Sequence, residues 1–588
     1  MTPSVGPWLR KAGWVAIFAV AFAVRAGNLA AAKPYINYVD EGNFLHSVVK
    51  LLRTGTWNSD FYLYPQVPMT AVAATVRISD PIHRAFGGPP LRGRLSGDPM
   101  VYDVLEPFDV LLVARTLNLV LGLLVVAGIA LFARRLAGPV AGFAAASLAA
   151  VTPALAIRGS IATVDIYATF FVLLSLYFVH ASRGSSRPGR VCFGAGAMAG
   201  LAFASKYPAA LVILAFAVST LLEKIPWREK ARRAALAAAG LGVGAAVGMP
   251  AVLVHPRDVV NAIRAQATIY SQLTSPASLW DQVAVRAEWN LTYEGAELGA
   301  IYLLLAVAGV GLGIRDRRLS TTVWGWLAFG GVSILLFSRQ AFHPFRNLLP
   351  LVPLAALSAA ILYARLRERL RRPLLLDLLA IGWAGAAFVA PLAAHGAERA
   401  RLADSRREAV DWLAAHRVAG DPVLFVRELG FVRAEIERLG PAAREAWWAD
   451  TPAILEAESP RFLVAGMLER PDGVRIDVPA VARVLERYAV RYRSGRSRRG
   501  ARTGGGEAIG SSSMSSSGGA SRRPLPRLPR PPRVSARRSP PPGRSRPAGR
   551  SSSRGAARAG RRTRETRGCT REDPPVSRRA SVSSLSIP

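Results

Sequence analysis

Two adjacent carboxylates, Asp40 and Glu41, follow the first apolar run of the chain, which begins at Trp14 and ends near residue 32. Charged side chains at a membrane boundary are costly to desolvate, and they do nothing for a helix that faces lipid. They are useful where a carboxylate takes a proton from a hydroxyl group or holds a cation. The alternative is that two such acids only cap a helix or lie in a solvated turn. We take Asp40 as the candidate reacting acid and Glu41 as its support.

The elements that position this pair are long apolar segments, which recur from Trp14 to His395. Most are long enough to cross a hydrocarbon layer of about 30 Å. They predict an all-α polytopic membrane protein with about eleven transmembrane helices. Short basic loops predict a cytoplasmic N-terminus and a C-terminus outside. The predicted helices lie near residues 13–32, 109–133, 138–157, 162–181, 191–205, 207–222, 234–254, 298–314, 321–337, 347–364 and 374–395.

The run from Val191 to Leu222 is long for one crossing and short for two, and Lys206-Tyr207-Pro208 interrupts it. Both of its flanks are basic, so the segment must cross an even number of times. A tight hairpin with Lys206 at its outer tip satisfies this requirement, and a re-entrant pair of helices is the alternative.

Three further regions lie outside the apolar segments. The first outer loop covers residues 33–108 and contains helical apolar spacing at Gly42–Arg53 and Val67–Ile78, which is typical of surface helices. Residues 398–491 predict a small extracytoplasmic α/β domain, with a helix at 406–416 and strands at 422–427 and 461–466. Residues 492–588 contain no aromatic side chain after Tyr492 and predict a disordered tail rich in Arg, Pro and Ser. This tail is either a genuine basic segment or the product of out-of-frame translation.

The net charge of +36 is unevenly distributed, because residues 491–588 hold 25 arginines and four acids and therefore account for +21 of it. A basic tail alone would suggest nucleic acid as a partner, but the apolar body argues against that class. The two cysteines, Cys192 and Cys569, form neither a disulfide framework nor a metal cluster.

The predicted topology gathers further charged residues at the outer ends of the helices. Cations can hold a lipid phosphate there while a carboxylate activates an attacking hydroxyl. Arg25 and Arg115 lie in the outer halves of the first two apolar helices. The residues placed at the outer boundary, besides the acid pair, are Asp165, Lys206, His343 and Arg346.

Several motifs in this order resemble the bacterial protein O-mannosyltransferase-like (glycosyltransferase family 39-like) proteins of the GT-C superfamily. The resemblance covers most of residues 10–395. The segments that carry it are Tyr38-Val-Asp-Glu-Gly, Tyr62-Leu-Tyr-Pro65, Arg115-Thr-Leu-Asn-Leu-Val, Ala133-Arg-Arg-Leu-Ala-Gly138, Thr163-Val-Asp165, Gly200-Leu-Ala-Phe-Ala-Ser-Lys206 and Arg346-Asn-Leu-Leu-Pro. The chain departs from the family pattern at Gln66, where a second proline is usual. It also departs over residues 79–107, a long segment rich in Gly and Pro that does not resemble the family.

The resemblance implies a catalytic module at 10–395 in the cytoplasmic membrane of a bacterium, with its site on the extracytoplasmic side. It implies inverting transfer of a sugar from a polyprenyl-phosphate donor to an acceptor that is a protein, a glycan or a lipid. By this likeness Asp40, Glu41 and Asp165 are the catalytic acids. It leaves the cofactor open, with a divalent metal ion as one candidate. By the same likeness Lys206 and Arg346 match cationic positions near the lipid phosphate. The candidate substrate-binding residues are Arg25, Tyr64, Arg115, Lys206, His343 and Arg346.

Two other classes of protein fit part of the pattern. A transporter or a flippase for lipid-linked sugars would also have many helices and intramembrane charges, but it should place those charges near the bilayer midplane. A structural or assembly protein would use residues 398–491 to bind a partner.

Overall fold

The computed structural model describes residues 7–27, 29, 39–59, 61–88, 91, 108–271, 300–338, 345–370, 373–389, 392–393, 407–426, 433–446, 451–458 and 460–464. The chain divides into two compact units, Met1–Ser497 and Arg498–Pro588, and every described residue belongs to the first. The predicted tail at 492–588 therefore lies outside the described residues.

The chain begins with α1 (Pro7–Ala26), α2 (Val39–Thr54) and α3 (Val67–Ala85). The last two occupy the segments in which surface helices were predicted. Their apolar faces pack together against the start of α4, around Phe44, Val48, Val72 and Val110, all of which are buried. This small core fixes the position of α2, the helix that carries the acid pair.

The next element, α4 (Phe108–Val151), is two helices joined at a break. Gly138 has φ of 85°, a conformation that residues with a Cβ rarely adopt, and Pro139 follows it and begins the second part. The break coincides with the boundary predicted between two crossings. After α4 come α5 (Pro153–Arg158) and α6 (Asp165–Ala181), which is buried along most of its length.

A second group of helices comprises α7 (Pro188–Phe203), a 3₁₀ turn (Tyr207–Val212), α8 (Ile213–Leu222) and α9 (Trp227–Gly248). Lys206 lies at the turn between α7 and the 3₁₀ segment, as the hairpin interpretation predicted. Two further helices follow, the short α10 (Ala251–Val254) and the longer α11 (Pro256–Ser271).

The remaining helices are α12 (Ala300–Arg315), α13 (Ser320–Ser338), α14 (Val352–Arg369) and α15 (Pro373–Ala384). A 3₁₀ segment (Phe345–Leu351) leads into α14, and a π-helical turn (Gly385–Val389) ends α15. Over the described residues, each of the eleven segments predicted to cross the membrane is mostly helical.

By length and apolarity, four helical stretches of the described chain could span a membrane: Val110–Val151, Asp165–Gly184, Ser320–Phe337 and Arg346–Arg369. Shorter apolar helices occur at Tyr207–Leu222, Ile301–Arg315 and Pro373–Val389. The structure is thus mostly helical, as predicted, while the number of crossings remains a prediction.

Residues after the last helix form a three-stranded parallel sheet in the order β2-β1-β3. Its strands are β1 (Val423–Val426), β2 (Ala443–Ala446) and β3 (Phe462–Val464). Buried side chains of the helical stretch 407–416 and of Arg433–Arg438 pack with β1, and a further helix (Thr451–Glu458) precedes β3. The strands predicted at 422–427 and 461–466 correspond to β1 and β3, whereas β2 was not predicted from the sequence. The bounds of a separate domain here stay a prediction.

Ion pairs between segments that are distant in sequence show which helix ends lie on the same side of the molecule. At one set of ends, Arg183 pairs with Glu223 (3.3 Å), which also pairs with Arg233 (2.9 Å). These three residues come from the loops that were predicted to be cytoplasmic. Since α6 begins at Asp165 and ends just before Arg183, Asp165 lies at the opposite end, with the residues described in the next subsection.

The helices α7 and α9 approach so closely that glycine is required at the contact. A Cβ added to Gly240 would lie 2.1 Å from the carbonyl oxygen of Phe193, and one added to Gly200 would lie 2.3 Å from that of Leu241. Neither backbone can move without separating the two helices. In contrast, a Cβ at Gly242 would meet no atom within 4 Å.

We expect Gly240→Leu to lower the free energy of unfolding by at least about 1–3 kcal/mol, because overpacking forces the backbones apart. Gly242→Leu adds the same side chain to the same helix and should leave the unfolding temperature close to that of the wild type. Thermal unfolding of the purified proteins in detergent measures both. Equal unfolding temperatures for the two variants would contradict the close packing.

Candidate active site

A cleft of about 470 Å³, partly open to solvent, lies at the ends of the helices where α6 begins. The lining combines aromatic, hydroxyl, amide and charged side chains from segments that are far apart in sequence. Among the lining residues are Tyr64, Thr163, Asp165, Lys206, Arg346 and Asn347.

The centre of the cleft is an ion pair between Lys206 and Asp165. Lys206 Nζ donates to Asp165 Oδ1 (2.6 Å) and to Asn347 Oδ1 (2.7 Å). The side chains of Asp165 and Lys206 are only 3% and 13% exposed, so each would be costly to bury alone. An ammonium group has three N–H donors, and within the described chain two of those on Lys206 have acceptors. One donor therefore remains for a ligand in the cleft.

The short loop before Asp165 is held by the first part of α4. Asn118 Nδ2 donates to the carbonyl oxygens of Ile161 and Thr163, the latter at 3.1 Å. Arg115 lies one helical turn earlier on the same face, since residues three apart are neighbours on a helix. The motif Arg115-Thr-Leu-Asn118 thus supports the segment that delivers Asp165 to the cleft.

Glu41 lies in a completely buried ion pair with Arg115. Arg115 donates through Nε to Glu41 Oε1 (2.9 Å) and through Nη2 to Oε2 (2.8 Å), and both side chains are fully buried. Glu41 Oε1 also accepts the backbone N–H of Ala162 (2.9 Å), while Arg115 Nη1 donates to the carbonyl of Leu29 (3.1 Å). This bidentate geometry is the strongest form of a carboxylate–guanidinium contact. Glu41 and Arg115 therefore join α2, α4 and the Asp165 loop.

Glu41 and Arg115 pair with each other, and neither is among the residues that line the cleft. The predicted roles of Glu41 in catalysis and of Arg115 in substrate binding stay predictions. Asp40 is the neighbouring residue in the first turn of α2, and its side chain lies outside the described residues.

The loop that carries Tyr64 is attached to the turn that carries Lys206. Tyr207 Oη donates to the carbonyl of Tyr62 (2.6 Å), and the backbone N–H of Val67 donates to the carbonyl of Ala204 (3.0 Å). These bonds connect the two sides of Lys206 to the two ends of the aromatic loop. Tyr64 itself lines the cleft, as its predicted role in substrate binding requires.

Arg346 also lines the cleft, next to Asn347 at the start of the 3₁₀ segment that leads into α14. Its guanidinium brings a second positive charge to the same space as Lys206. His343 was predicted to lie in the same loop, and it lies outside the described residues.

Arg25 does not reach the cleft, which differs from the prediction that it contacts substrate. It is fully buried, and it donates to the carbonyl oxygens of Ala21 (2.8 Å), Ala150 (3.0 Å) and Ala149 (3.2 Å). The last two are carbonyls at the C-terminal end of α4, which lack intrahelical partners there. The sequence showed that Arg25 is in an apolar helix, but only the packed helices show that carbonyl oxygens accept from its Nη1 and Nη2 atoms. Its Nε is buried without a hydrogen-bond partner among the described residues.

Four polar lining residues escaped the sequence analysis: Thr163, Tyr207, Gln266 and Asn347. Three of them occur inside or beside the motifs quoted above, so their neighbours in the motifs were the available signal. Gln266 lies on α11, in a segment for which no helix was predicted. The Thr163 hydroxyl is buried and has no hydrogen-bond partner among the described residues.

The candidate divalent metal has no ligand set in the described part of the chain, where no three His, Cys, Asp or Glu side chains gather. Asp165, the described carboxylate of the cleft, is committed to Lys206.

Comparison with known proteins agrees with this geometry. Residues 108–254, which include Arg115, Asp165 and Lys206, match the family of dolichyl-phosphate-mannose-protein mannosyltransferases. The fold is similar to that of ArnT from Cupriavidus metallidurans bound to undecaprenyl phosphate, with a TM-score of 0.51 and 16% identity over 77% of this chain and 89% of that one. These findings confirm the resemblance to the GT-C membrane glycosyltransferases and a GT-C-like fold.

Two further solved structures gave TM-scores below 0.5. Apo ArnT from the same organism gives a TM-score of 0.49 and 15% identity over 76% of this chain and 92% of that one. The archaeal oligosaccharyltransferase AglB from Archaeoglobus fulgidus, in complex with an inhibitory peptide and a dolichol-phosphate, gives 0.45 and 12% over 70% of this chain and 59% of that one. No curated protein matched the sequence.

We expect Glu41→Gln to destabilise the protein by about 3–5 kcal/mol, because it leaves the buried charge of Arg115 without a counter-ion. The measurement is thermal unfolding of the purified protein in detergent. Arg438→Gln breaks an ion pair with Asp411 whose side chains are 52% and 57% exposed, and it serves as the matched control with an unchanged unfolding temperature. A Glu41→Gln protein as stable as this control would show that the pair does not hold the site together.

Proposed function

We propose that this protein is an inverting glycosyltransferase of the cytoplasmic membrane. It moves a sugar from a polyprenyl-phosphate donor to an acceptor on the outer face. The observation that carries the proposal is the cleft itself, where Lys206 and Arg346 bring two positive charges beside Asp165 at the helix ends of a GT-C-like fold. The ArnT structure with undecaprenyl phosphate supports a lipid phosphate as the group that these charges bind.

The cations bind the phosphate of the donor and stabilise it as it leaves. Lys206 is held in place by Asp165 and Asn347, so its position is set before the donor arrives. Preorganised donors of this kind stabilise charge that develops in a transition state, because no reorganisation is needed at that moment. Arg346 adds its guanidinium, whose planar fork suits phosphate oxygens. The buried Thr163 hydroxyl supplies a further hydrogen bond to the substrate.

The transfer is a single displacement. The acceptor oxygen forms a bond to the anomeric carbon of the sugar while the bond from that carbon to the phosphate oxygen breaks. The phosphate leaves with the electron pair as polyprenyl phosphate, and the proton of the acceptor hydroxyl passes to the carboxylate of Asp40. Attack from the face opposite the leaving group inverts the anomeric configuration.

Incubation of the purified protein with a panel of polyprenyl-phosphate hexoses and pentoses tests the function, with release of polyprenyl phosphate as the measurement. We expect release from at least one donor. Asp40→Ala should reduce it by a factor of about 10²–10⁴, the usual contribution of a general base. Asp258→Ala removes a carboxylate that is 60% exposed on α11 and should retain wild-type release.

No release by the wild type from any donor would refute the proposed function. Full release by a folded Asp40→Ala protein would instead refute only the role given to Asp40.

Replacing Lys206 with Met should lower turnover by a factor of about 10²–10³, since a preorganised donor to the leaving phosphate is lost. This variant also leaves Asp165 buried without its partner, so its folding must be tested separately. The double variant Lys206→Met with Asp165→Asn removes both charges and should recover the unfolding temperature but not the turnover. Lys224→Gln, which replaces an exposed lysine between α8 and α9, is the control. Recovered turnover in the double variant would mean that Lys206 has only a structural role.

A further inference from the structure

A second groove, of about 1,040 Å³, lies between α12 and α14. The groove lies at the C-terminal ends of α12 and α14, which are the ends farthest from the cleft. Arg346 and the start of α14 belong to the cleft, whereas the groove reaches Arg369 at the last residue of α14. A helix of 18 residues is about 27 Å long, close to the thickness of a hydrocarbon layer. The cleft and the groove therefore face opposite leaflets of the membrane.

The floor of the groove is apolar and faces lipid. Gly311 and Leu312 of α12 oppose Leu362 and Leu366 of α14. On the outer face of α12, Leu304 and Val307 are 68% and 69% exposed, as expected for side chains in contact with acyl chains. A Cβ at Gly311 would meet no atom within 4 Å, so the groove is open at this glycine.

The two helices are packed tightly only one turn away. A Cβ at Gly309 would lie 1.9 Å from the carbonyl oxygen of Ser358, so the helices touch there. The groove is the space next to this contact, towards the helix ends. The groove therefore has a helix on each side, and the contact at Gly309 fixes the distance between them.

One end of the groove is strongly basic. Arg315, Arg365 and Arg369 all line it. Arg365 pairs with Asp316 (2.9 Å) and with Glu368 (3.3 Å). Arg315 and Arg369 form no ion pair within the described chain, and both are exposed. Two guanidinium groups are thus available next to an apolar channel.

This combination favours one kind of ligand. Guanidinium groups bind phosphate oxygens through paired hydrogen bonds, and the apolar floor suits a hydrocarbon chain. A soluble anion would use only the arginines, and a neutral lipid would use only the floor. The short basic loops at these helix ends also predict the cytoplasmic leaflet, whose anionic lipids attract Arg and Lys.

We propose that this groove binds an anionic phospholipid of the leaflet opposite the cleft. Arg315 and Arg369 hold its phosphate, and one acyl chain lies along Gly311, Leu362 and Leu366. The site is independent of the sugar-transfer cleft and would exist whatever the donor.

Native mass spectrometry of the full-length protein in detergent, titrated with dioleoylphosphatidylglycerol, tests the proposal. The double variant Arg315→Gln with Arg369→Gln should weaken binding about tenfold or more, since each basic residue near anionic lipid contributes measurably. Arg317→Gln with Arg318→Gln removes two exposed arginines of the same loop that do not line the groove. This matched control should change binding less than about twofold.

A second pair of variants tests the floor without altering charge. Gly311→Leu fills the groove and should weaken phosphatidylglycerol binding while every arginine is retained. Gly331→Leu adds the same side chain on α13, where a Cβ also meets no atom within 4 Å, and should leave binding unchanged.

Three results would overturn the proposal. Equal losses in the two arginine pairs would indicate diffuse attraction to a basic surface. Unchanged binding by Gly311→Leu would show that no acyl chain occupies the groove. Tighter binding of undecaprenyl phosphate or of dioleoylphosphatidylcholine than of phosphatidylglycerol would assign the groove to a different lipid.

Discussion

The buried ion pair between Glu41 and Arg115 is the interaction on which the cleft depends. Two charges removed from water are tolerated only when every hydrogen-bonding atom is satisfied, and here the carboxylate also accepts the N–H of Ala162. The pair therefore fixes α2, α4 and the loop before α6 relative to one another. Asp40 precedes Glu41 in the chain, and Asp165 follows Ala162 by three residues, so both catalytic candidates take their positions from this contact.

The charged residues within the apolar body divide by how far their hydrogen bonds are satisfied. Arg25 and Arg115 are surrounded by carbonyl or carboxylate oxygens and are wholly buried. Lys206 is also paired, but it lines an open space and keeps one donor beyond its two acceptors. A charged group enclosed by the protein supports structure, whereas one that borders an open space can bind an anion. Residue type and position along a helix do not distinguish these roles.

Local patterns predicted the helices well because apolar runs and basic loops are local features. The break at Gly138 and the turn at Lys206 were predicted for the same reason. The sequence Ala443-Arg-Glu-Ala446 has little intrinsic strand preference, and it forms β2 only because it pairs with β1. Gln266 enters the cleft through tertiary packing, for which the local sequence gives no signal. The buried partners of Arg25 and Glu41 could likewise be identified only once the helices were packed.

The pairing of Lys206 first with Asp165 and then with Asn347 has a consequence for how the protein is made. Chains are synthesised from the N-terminus, and early segments fold before later ones emerge. Lys206 and Asp165 are separated by 41 residues, so both are inserted long before Asn347, which is 141 residues beyond Lys206. The lysine thus has an acidic partner throughout biogenesis and is never left alone in the membrane. The late arrival of Asn347 and Arg346 then completes the cleft, so nascent chains that end before this segment carry a stable but unfinished site.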